Sequence, residues 1–210
     1  MDDPVKIRLL LVDDHFLIRL GLVSSFEAEP DMIVVGQASS GPEAISVFAE
    51  VQPDVTLMDG RLPGMMGVEA VEAIVARNPE ARIIMFTINE TEEHIHRALE
   101  AGVRAYLPKS TGREELLYAV RLVHRGSTYQ PASVRAKITV RRQRIPLSHQ
   151  EFQVLQLIAI GRADSEIAEK LTLSQTTLRT EVRSLLFKLG VSDRTSAVSI
   201  GLERGLVEIE

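Results

Sequence analysis

The feature that most constrains the fold is a set of short apolar runs separated by roughly twenty residues each. Residues 7–12 (Ile-Arg-Leu-Leu-Leu-Val) form the first. Others follow at Met32–Val35, Val55–Met58, Ile83–Phe86 and, more weakly, Arg104–Leu107. Runs of this length without alternation suit strands buried on both faces of a parallel sheet. Between them, residues 15–28, 41–51, 66–77, 91–101 and 112–125 place apolar side chains at helical spacing. Pro30, Pro53, Asn78-Pro79 and Gly102 mark where those helices end. Five βα units predict an α/β fold, a doubly wound five-stranded parallel sheet with helices on both faces. In such sheets ligands bind beyond the carboxyl ends of the strands.

After Gly126 the pattern changes. Residues 127–146 carry Arg135, Lys137, Arg141, Arg142 and Arg144 and read as a basic linker with a short helical stretch. From Leu147 no strand pattern returns, and four helices fit the remainder. The expected organisation is therefore residues 1–126, a linker over 127–146, and a small all-α domain over 147–210. The net charge of −5 is uneven across these parts: residues 1–125 sum to −8 and residues 126–210 to +3. A basic second part on an acidic chain suits a polyanion-binding module, and equally an unevenly charged solvated surface. The absence of cysteine excludes disulfides and thiolate metal sites. The acidic start lacks a signal-peptide pattern, and no apolar run reaches the roughly 18 residues that span a bilayer. The expected location is the cytoplasm, with no membrane partner.

Asp13 and Asp14 end the first run, Asp59 follows the third, Thr87 the fourth and Lys109 the fifth. The sheet topology brings all five to one edge. Three carboxylates this close repel one another unless a cation offsets them. Mg²⁺ suits the role, taking one or two carboxylates plus waters and phosphate oxygens. A carboxylate at such a site can attack a phosphoryl group, with a lysine supplying charge where the transferring group is negative. One aspartate at a strand end is most often a turn residue. Five suitable side chains on four strand ends of one sheet are harder to dismiss.

At this point the residues resemble a known family. Leu11-Val-Asp13-Asp14-His15, Asp54-Val-Thr-Leu-Met-Asp59-Gly-Arg-Leu-Pro63-Gly64, Thr87 and Tyr106-Leu-Pro-Lys109 resemble the receiver domain of two-component response regulators, over about residues 6–125. The resemblance implies a flavodoxin-like sheet and Asp59 as acceptor of a phosphoryl group from a sensor histidine kinase. It implies that Asp14, Asp59 and the backbone carbonyl of Arg61 ligate Mg²⁺, with Asp13 acting through water. Lys109 would contact the phosphoryl oxygens, Thr87 would move toward them, and Tyr106 would follow inward as a switch aromatic. His15 is expected to start the first helix rather than act as a base. His94 and His96, two apart on a helix, are expected at the surface, as is Met66. Ile88 stands where the family usually has a small residue and is expected to crowd the phosphoryl pocket.

In the second part, Ser148 with Glu151 forms a capping box opening a helix to about Ile160. Asp164 can cap a second helix to Leu171, Ser174 a third over Gln175–Leu189, and Asp193 a fourth to about Glu203. On the third helix Leu178, Val182, Leu185 and Leu189 share one face. Thr176, Thr180, Arg183 and Phe187 lie opposite, with Arg179 flanking them. The short polar turn Thr172-Leu-Ser174 before it completes a helix-turn-helix pattern, whose second helix enters the major groove. The segments Leu147–Gly161, Glu166-Ile-Ala168, Leu171-Thr-Leu-Ser174, Thr177-Leu-Arg179 and Lys188-Leu-Gly190-Val191 resemble the NarL/FixJ/LuxR-type output domain over about residues 147–206. That resemblance implies Arg179, Thr180 and Arg183 as DNA contacts, with Thr177 and Lys188 completing the candidate set. Arginine can pair with guanine or hold phosphate, and the sequence leaves both open. Glu181 replaces a common His, Ser184 a common Asn, and Ala163 a capping Ser. Phe187 puts an aromatic on the exposed face.

The combined reading is a DNA-binding response regulator whose phosphorylation at Asp59 controls transcription. Its expected partners are a sensor histidine kinase, double-stranded DNA, a second copy of itself when phosphorylated, and RNA polymerase as a further candidate. Glu181, Ser184 and Phe187 motivate an alternative in which the output domain acts mainly by protein contacts. A hydrolase on the same sheet would need a second acid two residues after the nucleophile, where Arg61 stands. No enzymatic turnover is expected beyond self-phosphorylation and slow self-dephosphorylation.

Overall fold

The five apolar runs are the five strands of one parallel sheet in the computed structural model, which describes residues 6–89 and 91–207. They are β1 (Ile7–Val12), β2 (Met32–Ala38), β3 (Val55–Met58), β6 (Ile83–Thr87) and β7 (Ala105–Pro108), in the order β2-β1-β3-β6-β7. Between β3 and β6 a two-stranded antiparallel ribbon, β4 (Arg61–Leu62) and β5 (Met65–Met66), follows the Asp59 loop. Helices α1 (Phe16–Glu27), α2 (Gly41–Val51), α3 (Gly67–Arg77), α4 (Glu92–Glu100) and α5 (Arg113–His124) connect the strands. Leu9, Leu11, Leu57 and Ile84 of the sheet join Phe26 of α1 and Val120 of α5 in one buried cluster. Full burial of each such side chain is worth about 1.5–3 kcal/mol, which is what fixes strand register here.

The strand order reverses direction between β1 and β3, and a crevice opens at that point. Register sets what lines it. Val12 pairs with Met58, and the Asp59 N–H donates to the Val12 carbonyl at 2.9 Å. The next residues, Asp13 and Asp59, therefore emerge side by side. On the neighbouring strands Thr87 pairs with Pro108, and the Lys109 N–H donates to the Thr87 carbonyl at 2.9 Å.

The basic segment is not uniformly a linker. Tyr129 forms a bridge with Ala105, donates its N–H to the Arg104 carbonyl at 3.0 Å, and packs against the core cluster. Its hydroxyl donates to Glu115 at 2.7 Å. Helix α6 (Ala132–Arg142) follows, with Val134 fully buried. The division between the two compact units falls inside α6, between Ala136 and Lys137. The aromatic anchor Tyr129 thus ties the start of this segment to the first unit.

In the second unit α7 (His149–Ala159), α8 (Asp164–Lys170), α9 (Gln175–Leu189) and α10 (Arg194–Arg204) enclose a core that includes Leu155, Ile167, Leu178, Val182, Leu185 and Ala197. Ser148, Ser174 and Asp193 cap α7, α9 and α10 as their positions predict. Helix α8 differs. Its N-cap is Ala163, whose N–H donates to Glu166 at 2.9 Å, and Asp164 is the first helical residue. The Asp164 carboxylate pairs with Arg194 instead of capping. Among the described residues no helix is long and apolar enough to cross a membrane.

Candidate functional site

Lys109 occupies the centre of the strand-end crevice. Its Nζ lies 2.6 Å from Asp13 Oδ2 and 2.6 Å from Asp59 Oδ2, with the ammonium and both carboxylates almost entirely buried. Burial alone would lower the lysine pKa. Hydrogen bonds and the charges of Asp13 and Asp59 outweigh burial and hold it above the usual value. Asp14 stands at the rim, more exposed than Asp13. Ligand atoms of Asp13, Asp14, His15 and Asp59 all lie within 4.8 Å of one another. Three carboxylates face one ammonium, so the pocket keeps an excess of negative charge, and its donors are mainly hard oxygens. That chemistry fits a small hard divalent cation. The Arg61 N–H donates to Asp59 Oδ1 at 3.3 Å, while its side chain is exposed.

Two glycines shape this edge in a way the sequence pattern does not single out. A Cβ on Gly67 would lie 1.8 Å from the Asp59 carbonyl oxygen, and one on Gly60 would lie 2.8 Å from Thr87 Oγ1. The start of α3 and the loop after Asp59 can approach only because neither has a side chain. The available signal is a glycine directly after the acceptor candidate and another opening the next helix.

Thr87 is buried and its hydroxyl accepts from the Asn89 N–H at 3.2 Å. Tyr106 is also buried, its ring already inside, and its hydroxyl donates to the Asn89 carbonyl at 2.5 Å. Ile88 is expected to crowd the phosphoryl pocket. Its side chain is 76 % exposed and lies at the edge of a cleft shared with Gly60, Thr87 and Tyr106. His94 is partly buried and lines a cleft with Met66, Thr87, Arg97 and Tyr106, so it is not a plain surface residue. His96 pairs with Glu100 on the helix surface. His15 starts α1 as expected but also places Nδ1 2.7 Å from Asp14 Oδ1, inside the acidic group.

On α9 the buried face is Leu178, Val182, Leu185 and Leu189, as the spacing predicts. Thr176, Arg179, Thr180 and Arg183 are exposed, and Phe187 is 76 % exposed. Thr177 is exposed too, but its N–H and hydroxyl are tied to the Ser174 cap. Glu181 makes no ion pair among the described residues. Lys188 departs from the candidate DNA set. Its Nζ turns inward, 2.7 Å from Glu151 Oε2, and Ser184 donates to Glu151 Oε1 at 2.6 Å. Glu151 also accepts from the Ser148 N–H at 2.6 Å. Burial pushes the Glu151 carboxyl up, but Lys188, Ser184 and the Ser148 N–H together hold it below the usual range. The capping box reveals half of this role; the clasp between α7 and α9 needs the fold. Asp164 is likewise held low, chiefly by Arg194 and further by the nearby charge of Arg179.

Comparison with known proteins matches both units. Residues 9–121 match the response regulator receiver domain, and residues 145–200 match the bacterial regulatory proteins of the luxR family. The transcriptional regulatory protein LiaR of Bacillus subtilis is 36 % identical over 91 % of this chain and 94 % of its own length. The response regulator protein VraR of Staphylococcus aureus is 35 % identical over 97 % of this chain and 100 % of its own. Among solved structures, the RcsB response regulator of Salmonella typhimurium superimposes with a TM-score of 0.76 at 25 % identity, covering 92 % of this chain and 98 % of that one. The luxR-family match favours DNA binding over an output domain that works mainly through protein contacts.

Proposed function

This chain belongs to the LuxR-family response regulators, DNA-binding proteins of two-component signal transduction, and on that footing we propose that Asp59 is its phospho-acceptor, charged by a phosphohistidine of a sensor histidine kinase. The observation that carries the reading is Lys109 Nζ held 2.6 Å from both Asp13 and Asp59 at the switch point of the sheet. An Asp59 carboxylate oxygen attacks phosphorus, the phosphorus–nitrogen bond breaks, and its electron pair returns to the leaving imidazole. Lys109 is already in place to meet the phosphoryl oxygens, so little reorganisation accompanies the transfer. Asp14, Asp59 and the Arg61 carbonyl would hold Mg²⁺, with Asp13 acting through water. When bound, the ion neutralises charge on the transferring group.

Thr87 and Tyr106 both reach Asn89, through its N–H and its carbonyl respectively. A new demand on the Thr87 hydroxyl therefore acts on the same short loop that the tyrosine grips. We infer that this shift favours a homodimer, which reads a two-fold DNA site through Arg179, Thr180 and Arg183. The regulator works in the cytoplasm, where bacterial DNA is, and has no turnover beyond self-phosphorylation and slow self-dephosphorylation.

Incubation with acetyl phosphate and Mg²⁺ tests the acceptor. By intact mass the wild type gains one phosphoryl group and Asp59→Asn gains none; phosphorylation of the variant refutes the assignment. For the DNA face, Arg179→Ala and Arg183→Ala should each flatten the slope of log affinity against log salt by about 0.9 if the residue holds a phosphate. Lys188→Ala should leave that slope unchanged.

A further inference from the structure

His15 enters the acidic site in a way that starting a helix does not require. Its backbone N–H donates to Asp13 Oδ1 at 2.9 Å, and α1 begins there without any side-chain cap. Yet Nδ1 stands 2.7 Å from Asp14 Oδ1 and 3.2 Å from Asp13 Oδ1. Neighbouring donors on one octahedral cation, at about 2.1 Å from it, lie about 3 Å from each other. The imidazole and the lysine also divide the carboxylate oxygens. Lys109 takes Asp13 Oδ2 and Asp59 Oδ2, whereas His15 faces the Oδ1 atoms of Asp13 and Asp14. The His15 side chain is 65 % exposed, so a hydrated ion can reach it from solvent.

We propose that His15 is an additional ligand of this cation site and extends its range to imidazole-seeking divalent cations such as Ni²⁺ and Zn²⁺. The inference rests on the reading that Asp14 and Asp59 hold a divalent cation. Mg²⁺ keeps its waters and prefers oxygen, so it gains little from an imidazole. Nickel and zinc are suited by it. A site of oxygens alone would hold these ions more weakly than one that adds His15. Such an ion competes with Mg²⁺ for the carboxylates that surround the acceptor.

The test is calorimetric titration of the full chain with Ni²⁺ and, separately, Mg²⁺, for wild type, His15→Ala, His15→Asn and Asp14→Asn. Asparagine is a good N-cap, so His15→Asn keeps the start of α1 while removing the imidazole. Both His15 variants should lose at least the roughly tenfold affinity for Ni²⁺ that removal of even an outer-shell partner costs. Their Mg²⁺ affinity should stay within about twofold of wild type. Ni²⁺ should also broaden the His15 imidazole resonances in the wild type. Unchanged Ni²⁺ affinity in both His15 variants, with loss in Asp14→Asn, overturns the role of His15 and leaves the cation site standing. Binding of both ions that is insensitive to Asp14→Asn overturns the cation reading and the inference with it, since the Ni²⁺ would then sit on other surface histidines.

Discussion

Lys109 and Lys188 each hold a buried carboxylate, at 2.6 and 2.7 Å, but their surroundings differ. In the output unit one carboxylate, Glu151, meets a lysine, a serine hydroxyl and a backbone N–H. Its hydrogen-bonding capacity is largely met, and the charges cancel. In the receiver one ammonium faces Asp13 and Asp59 with Asp14 beside them. There the charge is left over. A satisfied buried network fixes geometry, here the angle between α7 and α9. A pocket with uncompensated charge of one sign stores binding capacity for an ion and a phosphoryl group instead. The same pair of residue types thus makes a satisfied clasp in one unit and a charge-rich pocket in the other, and what decides is the number of partners around each carboxylate.

The sharpest way to break this comparison is to remove one partner from the clasp. Lys188→Met should leave Glu151 buried and uncompensated. A fully buried unpaired charge costs about 3–5 kcal/mol. Lys188 is partly exposed, which reduces the expected loss to about 2–3 kcal/mol. Hydrogen exchange of the α9 amides measures it, and protection equal to wild type would show that the clasp is ornamental. A smaller effect follows from pH. The Glu151 pKa is held below its ordinary value of 4.5 in the fold. Its contribution is therefore full above about pH 4.5 and is lost as pH falls through the folded pKa. Glu151→Gln should flatten the acid limb of output-unit stability; an unchanged limb assigns acid lability to other carboxylates.

Much of both sites is legible in the amino-acid order. Strand periodicity places Asp13, Asp14, Asp59, Thr87 and Lys109 on one edge, because a parallel sheet has only one carboxyl end. Helical spacing places Leu178, Val182, Leu185 and Leu189 inward and Arg179 and Arg183 outward. What escapes such patterns is long-range approach. Nothing local says that Lys188 reaches Glu151, 37 residues away, so its position on the helix alone makes it a surface cation. The caps show the same boundary: Ser148 and Ser174 can be read from position, whereas Asp164 sits one residue inside its helix and pairs with Arg194, 30 residues distant.

The smallest effect tests the other half of the comparison. If the receiver pocket holds surplus negative charge, removing some of it should not weaken the fold. Asp59→Asn keeps one carbonyl oxygen, which can accept from Lys109 or from the Arg61 N–H but not from both, while it relieves repulsion from Asp13 and Asp14. Functional sites commonly hold such unrealised stability, worth about 0.5–2 kcal/mol when released. Without divalent cations the receiver unit of Asp59→Asn should gain about 0.5–1 kcal/mol, at the low end because one good ion pair is surrendered. Added Mg²⁺ should narrow the gap by stabilising the wild type more than the variant, since only the wild type keeps the full set of charged ligands. Urea unfolding of the receiver with and without Mg²⁺ reads both quantities. A loss comparable to that of Lys188→Met would mean that the Lys109–Asp59 pair is a clasp as well, and that charge surplus is not what separates the two sites.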